Sequence, residues 1–87
     1  MTCHGHTGLV MSLVFSPNGK RLGSAGQDGV VKLWDTRTGQ EALTLRGHPG
    51  IIRSVAFSID ARLLAAAGDD GTITIWDGTP LDADPGR

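Results

Sequence analysis

Residues 5–35 read GHTGLVMSLVFSPNGKRLGSAGQDGVVKLWD, and residues 47–77 read GHPGIIRSVAFSIDARLLAAAGDDGTITIWD. Aligned without a gap at an offset of 42 residues, the two stretches are identical at 13 of 31 positions. An internal match at this spacing is typical of stacked supersecondary units, each too small to bury its apolar face alone. The repeat therefore predicts two structural units of the same kind, stabilised by contacts between neighbours.

Four β-strands are predicted in the first unit from its apolar runs and turn residues. The Asn-Gly pair at 18–19 and the Asp-Gly pair at 28–29 supply the positive φ angles that tight turns between antiparallel strands need. In the third strand, apolar Val31 and Leu33 alternate with polar neighbours, which predicts a half-buried strand. The predicted strands are residues 10–16, 22–26, 31–35 and 41–46.

The apolar residues of the first strand do not keep the strict period of two of an extended strand. Val10 and Leu13 are an odd number of residues apart, so a β-bulge is needed to bring both onto one face with Phe15. The second unit repeats this spacing at Ile52, Val55 and Phe57, and its further strands are predicted at residues 63–67 and 73–76. A fourth strand is missing from the second unit.

The alignment also sets the boundaries of the units. Residues 1–4 align with residues 43–46, which end the fourth strand of the first unit. Residues 1–4 are therefore predicted to be part of an outer strand whose own unit lies elsewhere. Residues 5–46 are the first repeat, residues 47–77 the second, and residues 78–87 a loop or tail.

Four dipeptides recur in phase in both units. They are Gly-His at 5–6 and 47–48, Phe-Ser at 15–16 and 57–58, Asp-Gly at 28–29 and 70–71, and Trp-Asp at 34–35 and 76–77. With these pairs in this order, the chain resembles the WD40 repeat family over nearly all of residues 5–77. The resemblance implies an all-β fold of four-stranded antiparallel blades, stacked around a central channel into a β-propeller. Because each repeat of this family straddles two blades, the chain is predicted to form two blades, the second without its own outer strand.

The resemblance further implies a buried hydrogen-bond network in each repeat, joining a histidine, a hydroxyl, an aspartate and a tryptophan. In the first repeat these residues are His6, Ser24, Asp28 and Trp34. In the second repeat they are His48, Asp70 and Trp76, with Ala66 at the hydroxyl position. A buried polar group that loses its partner costs about 1–3 kcal/mol. The second blade is therefore expected to be the less stable of the two, unless a water replaces the missing hydroxyl.

Charge and composition exclude several classes of partner. The net charge is -1 at pH 7, and no basic stripe is present to follow a phosphate backbone, so nucleic acid is not an expected partner. The apolar runs are far shorter than a membrane span, so no membrane partner is expected either. Cys3 is the only cysteine, which rules out an internal disulfide and suits a reducing compartment. A cytoplasmic location is predicted.

No catalytic, metal or cofactor site is predicted, although three groups of residues have suggestive chemistry. Ser24, His6 and Asp28 are the residue types of a catalytic triad, but the network places them in the interior, away from a substrate cleft. Cys3, His4 and His6 are types that bind transition metals, but the repeat register already accounts for Cys3 and His6. The glycines at 23, 26 and 29 precede neither the helix nor the lysine of a phosphate-binding loop. The chain is therefore not expected to be an enzyme or to bind a cofactor.

A candidate partner-binding face follows from the resemblance, because rings of this family often bind partners through the loops before the first strand and between the second and third. The corresponding residues are Leu9, Met11, Gln27, Ile51, Arg53 and Asp69. If Leu9, Met11 and Ile51 are exposed, they form an apolar patch of the kind that marks an interaction site. The alternative is that some of them are half-buried. Asp69 is expected to be exposed to solvent.

Two blades alone leave one apolar face open to water on each side of the pair. Either the chain is a piece of a longer polypeptide, or identical copies join head to tail until the ring closes, with four copies preferred and three next. The predicted function is that of a non-catalytic scaffold for an unknown protein or peptide, acting in such a ring. The alternatives are a fragment of a longer multi-blade protein and a pure self-assembly unit with no ligand.

Overall fold

A computed structural model describes residues 2–77, and in this range the chain forms seven β-strands in two antiparallel sheets. The strands are β1 (Val10–Phe15), β2 (Arg21–Gly26), β3 (Val31–Asp35), β4 (Glu41–Leu45), β5 (Ile52–Phe57), β6 (Leu63–Gly68) and β7 (Ile73–Asp77). Strands β1 to β4 pair in chain order to form blade 1, and β5 to β7 form blade 2. The predicted all-β fold, with a four-stranded and a three-stranded antiparallel sheet, is confirmed. Met1 and the loop or tail predicted at residues 78–87 lie outside the described residues.

Both predicted bulges are present. The register of β1 against β2 shifts between Val10 and Ser12, and that of β5 against β6 shifts between Ile52 and Ser54. Because of the first bulge, Val10, Leu13 and Phe15 lie opposite alternate residues of β2 and so share one face of blade 1. The strand ends differ from the predicted ones by one residue in most strands.

The hairpin turns explain why β1 ends before Ser16. The Ser16 hydroxyl bonds to Asn18 Oδ1 at 2.9 Å, and the backbone N of Arg21 donates to Ser16 Oγ at 3.0 Å. Gly19 takes the positive φ of 74° that closes the turn. Blade 2 repeats this turn with Ala61 at the glycine position, at a φ of 59°.

The core of the molecule lies between the two blades. One face of blade 1, carrying Val31 and Leu33, packs against the face of blade 2 that carries Val55 and Leu64. We call this contact the inner interface. Its buried apolar residues are Ala25, Val31, Leu33, Ile52, Val55, Leu64 and Ala66, with Val14, Leu45, Phe57 and Trp76 packed around them.

The prediction of a half-buried β3 is wrong, because all five of its residues are buried. The strand lies between β2 and β4, and blade 2 covers the face that carries Val31 and Leu33. On the other face, the Lys32 ammonium donates to Glu41 Oε1 at 2.8 Å and to Thr44 Oγ1 at 3.2 Å. The alternation in β3 therefore identified the two faces of the strand correctly. It did not predict that blade 2 would cover one face, or that the long side chain of Lys32 would be buried on the other.

Each blade has one further face, which the described part of the chain leaves open. The first open face belongs to blade 1 and exposes Leu13 by 63% and Phe15 by 64%. The second open face belongs to blade 2 and exposes Ile73 by 67% and Ile75 by 62%. The two blades therefore stack in one direction, with an unpaired apolar face at each end of the stack.

Candidate functional site: buried networks and candidate interaction surfaces

The first repeat contains a complete chain of side-chain hydrogen bonds. His6 Nδ1 lies 2.9 Å from Asp28 Oδ2, and His6 Nε2 lies 2.6 Å from Ser24 Oγ. Trp34 Nε1 donates to the same Ser24 oxygen at 2.7 Å. Since Ser24 accepts from the indole, its own proton is available for His6 Nε2, and the imidazole proton is then on Nδ1 and donates to Asp28. The network thus satisfies all four polar groups that the resemblance brings together.

Asp28 ties this network to the loop that leads into β1. Its carboxylate accepts from the backbone N of Thr7 at 3.1 Å and from that of Val30 at 3.4 Å. Burial opposes ionisation of Asp28, but the hydrogen bonds from His6, Thr7 and Val30 outweigh it and hold its pKa below the ordinary value. An ionised Asp28 therefore joins the first network, the leading loop and the turn before β3.

The Ser24, His6 and Asp28 geometry supports a structural role. Ser24 is 3% exposed, and its oxygen is bonded to both Trp34 and His6. A nucleophile needs an accessible oxygen beside a substrate cleft and an oxyanion hole. Here the hydroxyl is enclosed, and the hydrogen bonds of the three residues link the loop before β1 to β2 and β3.

In the second repeat, the expected joining of His48, Asp70 and Trp76 is not what the structure shows. His48 Nδ1 bonds to Thr74 Oγ1 at 2.9 Å, and Trp76 Nε1 donates to the backbone oxygen of Arg46 at 2.9 Å. Asp70 is exposed, and its Oδ1 accepts from the backbone N of Thr72 at 2.9 Å within its own turn. The three residues therefore have separate partners.

The two repeats differ at Ala66, whose methyl group offers no hydroxyl to link the imidazole to the indole, and at Thr74, which stands where the first repeat has Lys32. Among the described residues, His48 Nε2 is a buried nitrogen without a hydrogen-bond partner. The ring lies over Gly68, where a built Cβ atom would be 2.3 Å from Nε2. Sequence reasoning missed Thr74, and the only signal for it was a hydroxyl residue on β7 opposite Ala66.

The possible metal ligands are not gathered into a site. Both ring nitrogens of His6 are engaged, by Asp28 and Ser24, and Cys3 is half-buried. Within residues 2–77, no group of three or more His, Cys, Asp or Glu side chains is placed to hold a metal ion. The same range contains no helix long and apolar enough to cross a membrane.

The residues predicted for the partner face lie around the bulged ends of β1 and β5. The backbone N of Leu9 donates to Gln27 Oε1 at 3.1 Å in blade 1. In blade 2, Arg53 pairs with Asp69 through two hydrogen bonds, Nε to Oδ1 and a second to Oδ2 at 3.2 Å. Asp69 is exposed, as expected, but the Arg53 guanidinium engages it and lowers the pKa of its carboxyl.

The loops next to the two halves of this face approach each other closely. A Cβ atom built on Gly29, in the turn of blade 1, would lie 3.0 Å from the carbonyl oxygen of Gly50, in the loop that leads to β5. Leu9 and Met11 are exposed large hydrophobic residues, whereas Ile51 is half-buried. We define the loop-end patch as Leu9, Met11, Gln27, Ile51, Arg53 and Asp69. It combines an apolar half on blade 1 with a self-neutralised ion pair on blade 2.

A small depression lies beside the first network. It measures about 170 Å³ and is lined by Gly5, Thr7, Asp28, Val30, Lys32 and Arg46. Pockets for drug-sized ligands measure about 300–1,000 Å³ and are mostly apolar. Of its three charged side chains, Asp28 and Lys32 are bonded to His6 and Glu41, and the depression is smaller than such pockets.

Known proteins resemble this chain in sequence and in fold. The family model for the WD domain, G-beta repeat, matches residues 1–35 and 39–77. The crystal structure of RRP9 WD40 repeats superposes with a TM-score of 0.83 at 24% sequence identity, covering 90% of this chain and 25% of that chain. At this identity the likeness shows the fold alone.

Three curated relatives match about half of the chain each. The small ribosomal subunit protein RACK1z of Arabidopsis thaliana is 46% identical over 44 residues, which are 51% of this chain and 14% of that protein. The guanine nucleotide-binding protein subunit beta of Oryza sativa subsp. indica is 45% identical over 40 residues, 46% of this chain and 10% of the relative. The ribosome biogenesis protein ytm1 of Schizosaccharomyces pombe is 53% identical over 38 residues, 44% of this chain and 9% of the relative. The match thus spans a small part of each relative's length.

Proposed function

Because the chain belongs to the WD40 repeat family, we propose that it is a non-catalytic interaction module that presents a rigid surface to protein or peptide partners. Two of the relatives are named as parts of larger assemblies, the small ribosomal subunit and a guanine nucleotide-binding protein. These names support a role in assembly for this chain. The single Cys3 suits a reducing compartment, and the cytoplasm is the location we propose.

We propose that the module requires further blades. The support for this is that the residues of each open face occupy the same repeat positions as residues of the inner interface. Leu13 and Phe15 of the first open face occupy the repeat positions of Val55 and Phe57, which lie in the inner interface. Ile73 and Ile75 of the second open face correspond in the same way to Val31 and Leu33. Each open face therefore has the residue pattern that its repeat equivalent uses to bind a blade.

The free energy of burying apolar surface shows how strongly the open faces favour being covered by further blades. Covering about 400 Å² of apolar surface stabilises a protein by on the order of 10 kcal/mol. That is comparable to the total stability of a small domain, about 5–15 kcal/mol. A blade pair that keeps both faces in water forgoes this contribution, so the open faces favour a covered state.

We propose that copies of this chain supply the additional blades by joining head to tail into a closed ring. A head-to-tail contact uses two different faces and closes only when the rotation between copies divides the circle. Four copies give eight blades and three give six, both within the range of about four to eight known for propellers. Four copies are preferred and three are next.

A second candidate follows from the small share of each relative that the chain matches, 14% of RACK1z and 25% of the RRP9 structure. In this alternative the chain is part of a longer multi-blade protein, and blades of the same polypeptide cover both open faces. A third candidate is a self-assembling unit whose ring binds no ligand.

Partner capture distinguishes an interaction module from a pure self-assembly unit. We propose that the loop-end patch binds the partner through exposed Leu9 and Met11, with the Arg53–Asp69 pair at its margin. The assembled chain is used to capture partner protein from a cell lysate. Met11→Glu is expected to lower the yield of captured protein about tenfold, which corresponds to a loss of about 1.4 kcal/mol at a central contact, while the mass of the assembly is unchanged. Ile59→Glu is the matched control, because Ile59 is 96% exposed on a turn outside the patch. Equal yields from wild-type and Met11→Glu protein would contradict the interaction role and favour the pure self-assembly unit.

A further inference from the structure

We propose that residues 2–4 of one copy add to β7 of a second copy as its fourth strand, with Cys3 opposite Ile73. This inference rests on the proposed head-to-tail assembly and specifies its partner, a second copy of this chain, and its register. It also assigns a function to a segment that the described structure leaves outside both sheets, since residues 2–9 form no strand.

The inner interface provides the template. Strand β4 pairs with β3 so that Leu45 lies opposite Val31 and Thr44 opposite Lys32. Directly after β4, the chain passes through Gly47 to His48, whose ring bonds to Thr74 of blade 2. The outer strand of one blade is thus followed at once by a histidine held in the next blade.

The first open face has the same arrangement of a histidine held on a blade and a segment just before it. His6 is held on blade 1 by Ser24 and Asp28, and Ser24 shares a face with Leu13 because the two residues are paired in the ladder. The segment just before Gly5 therefore leads toward the blade that covers the first open face. Residues 2–4 are the repeat equivalents of residues 44–46, so their predicted position is the outer edge of that covering blade.

The covering blade offers an edge at that position. Within residues 2–77, β7 pairs with β6 alone, whereas its equivalent β3 pairs with both β2 and β4. An unpaired edge presents backbone N–H and C=O groups to an added strand. Ile73 is the repeat equivalent of Val31, and Cys3 is that of Leu45, so the β3–β4 register places Cys3 opposite Ile73.

A further hydrogen bond is expected in the same contact. Across the inner interface, the backbone N of Val55 donates to Ser12 Oγ at 3.2 Å. Ser54 is the repeat equivalent of Ser12 on the second open face, and Leu13 is that of Val55 on the first. The backbone N of Leu13 in one copy is therefore expected to donate to Ser54 Oγ of its neighbour. The strand addition and this bond both follow from the inner interface as template, and they are compatible with one another.

Disulfide trapping between two differently tagged single-cysteine proteins tests the proposal. One is the wild-type chain, with Cys3 alone, and the other is the double variant Cys3→Ser with Ile73→Cys. Opposite residues of an antiparallel pair have Cα atoms about 4.5–5.5 Å apart, within the range of disulfides. Mixed and oxidised, the two proteins are expected to give about tenfold more mixed disulfide than the control pair, because only the opposed pair meets this geometry.

The matched control replaces Ile73→Cys with Ala56→Cys in the same Cys3→Ser background. Ala56 also lies on the second open face, but on β5, two strands from β7 and about 10 Å away. Mixed disulfide at the Ala56→Cys level would overturn the strand addition. The mass of the reduced wild-type protein, measured in parallel, separates the two claims. A discrete ring without preferential trapping overturns only this inference, whereas a monomer contradicts the head-to-tail assembly as well.

Discussion

Ser12 Oγ accepts a hydrogen bond from the backbone N of Val55 at 3.2 Å, and this bond joins the two sheets across the inner interface. Val55 is buried, and its neighbours in the interface are apolar. The inner interface therefore has a directional polar contact in addition to its aliphatic packing. Its direction favours one position of blade 1 along blade 2.

Ser12→Ala is predicted to destabilise the chain by about 1 kcal/mol, because it leaves the Val55 N–H without its partner in a buried position. Denaturant unfolding of the reduced protein measures this change. Thr38→Ala is the control, since it removes a hydroxyl whose contact with the backbone N of Gln40 is exposed to solvent. If Ser12→Ala leaves the free energy of unfolding unchanged, the bond does not contribute to the inner interface.

Ser24→Ala is predicted to cost about 1–3 kcal/mol, because it leaves both the Trp34 indole N–H and His6 Nε2 without a partner in the interior. The expected readouts are a lower midpoint of chemical unfolding and a change in Trp34 fluorescence. Thr38→Ala, which removes an exposed hydroxyl, again serves as the control. An effect no larger than that of the control would show that the first network is not stabilising.

Ala66→Ser is predicted to have the opposite effect on blade 2. A serine there takes the repeat position of Ser24 and supplies a hydroxyl that the buried His48 Nε2 lacks among the described residues. We expect a gain of about 1 kcal/mol in the free energy of unfolding, the usual net value of one hydrogen bond. A loss of stability would mean that the bond to Thr74 holds His48 in place and that the added oxygen is left unsatisfied.

Local sequence patterns predicted the strand order and the bulges well. The odd spacing of Val10 and Leu13 leaves one solution for a shared face, and the structure has the corresponding register shift. Burial was less predictable. The alternation in β3 marks the two sides of the strand, but it carries no information about blade 2 or about the reach of Lys32 to Glu41.

The second repeat shows a different limit of sequence reasoning. The absence of a hydroxyl at Ala66 was visible in the alignment, but the response of His48 was not. Without a hydroxyl at this position, the orientation of the imidazole depends on which neighbouring polar group it can reach, and here that group is the Thr74 hydroxyl. The Arg53–Asp69 pair likewise depends on how two side chains from different strands meet. Both outcomes arise from three-dimensional contacts that a repeat pattern does not encode.

Acid is predicted to weaken the first network through Asp28. The folded-state pKa of Asp28 lies below its ordinary value of 3.8, so its ionised form contributes stability above that pH and the contribution is lost as pH falls through the folded pKa. The stability difference between the wild type and Asp28→Asn is therefore expected to shrink as pH falls below 3.8. Chemical unfolding of both proteins over a pH series measures it. A difference that is constant across this range would contradict the role given to the ionised carboxylate.

The central claim is that copies of this chain cover the first and second open faces. Sedimentation equilibrium of the purified, reduced protein at several dilutions tests it most directly, with Phe15→Glu as the interface variant and Ile59→Glu as the surface control. We predict a discrete species of four chains, or of three, for the wild type and for Ile59→Glu, and loss of that species for Phe15→Glu. A folded wild-type monomer that persists across the concentration series would contradict the claim.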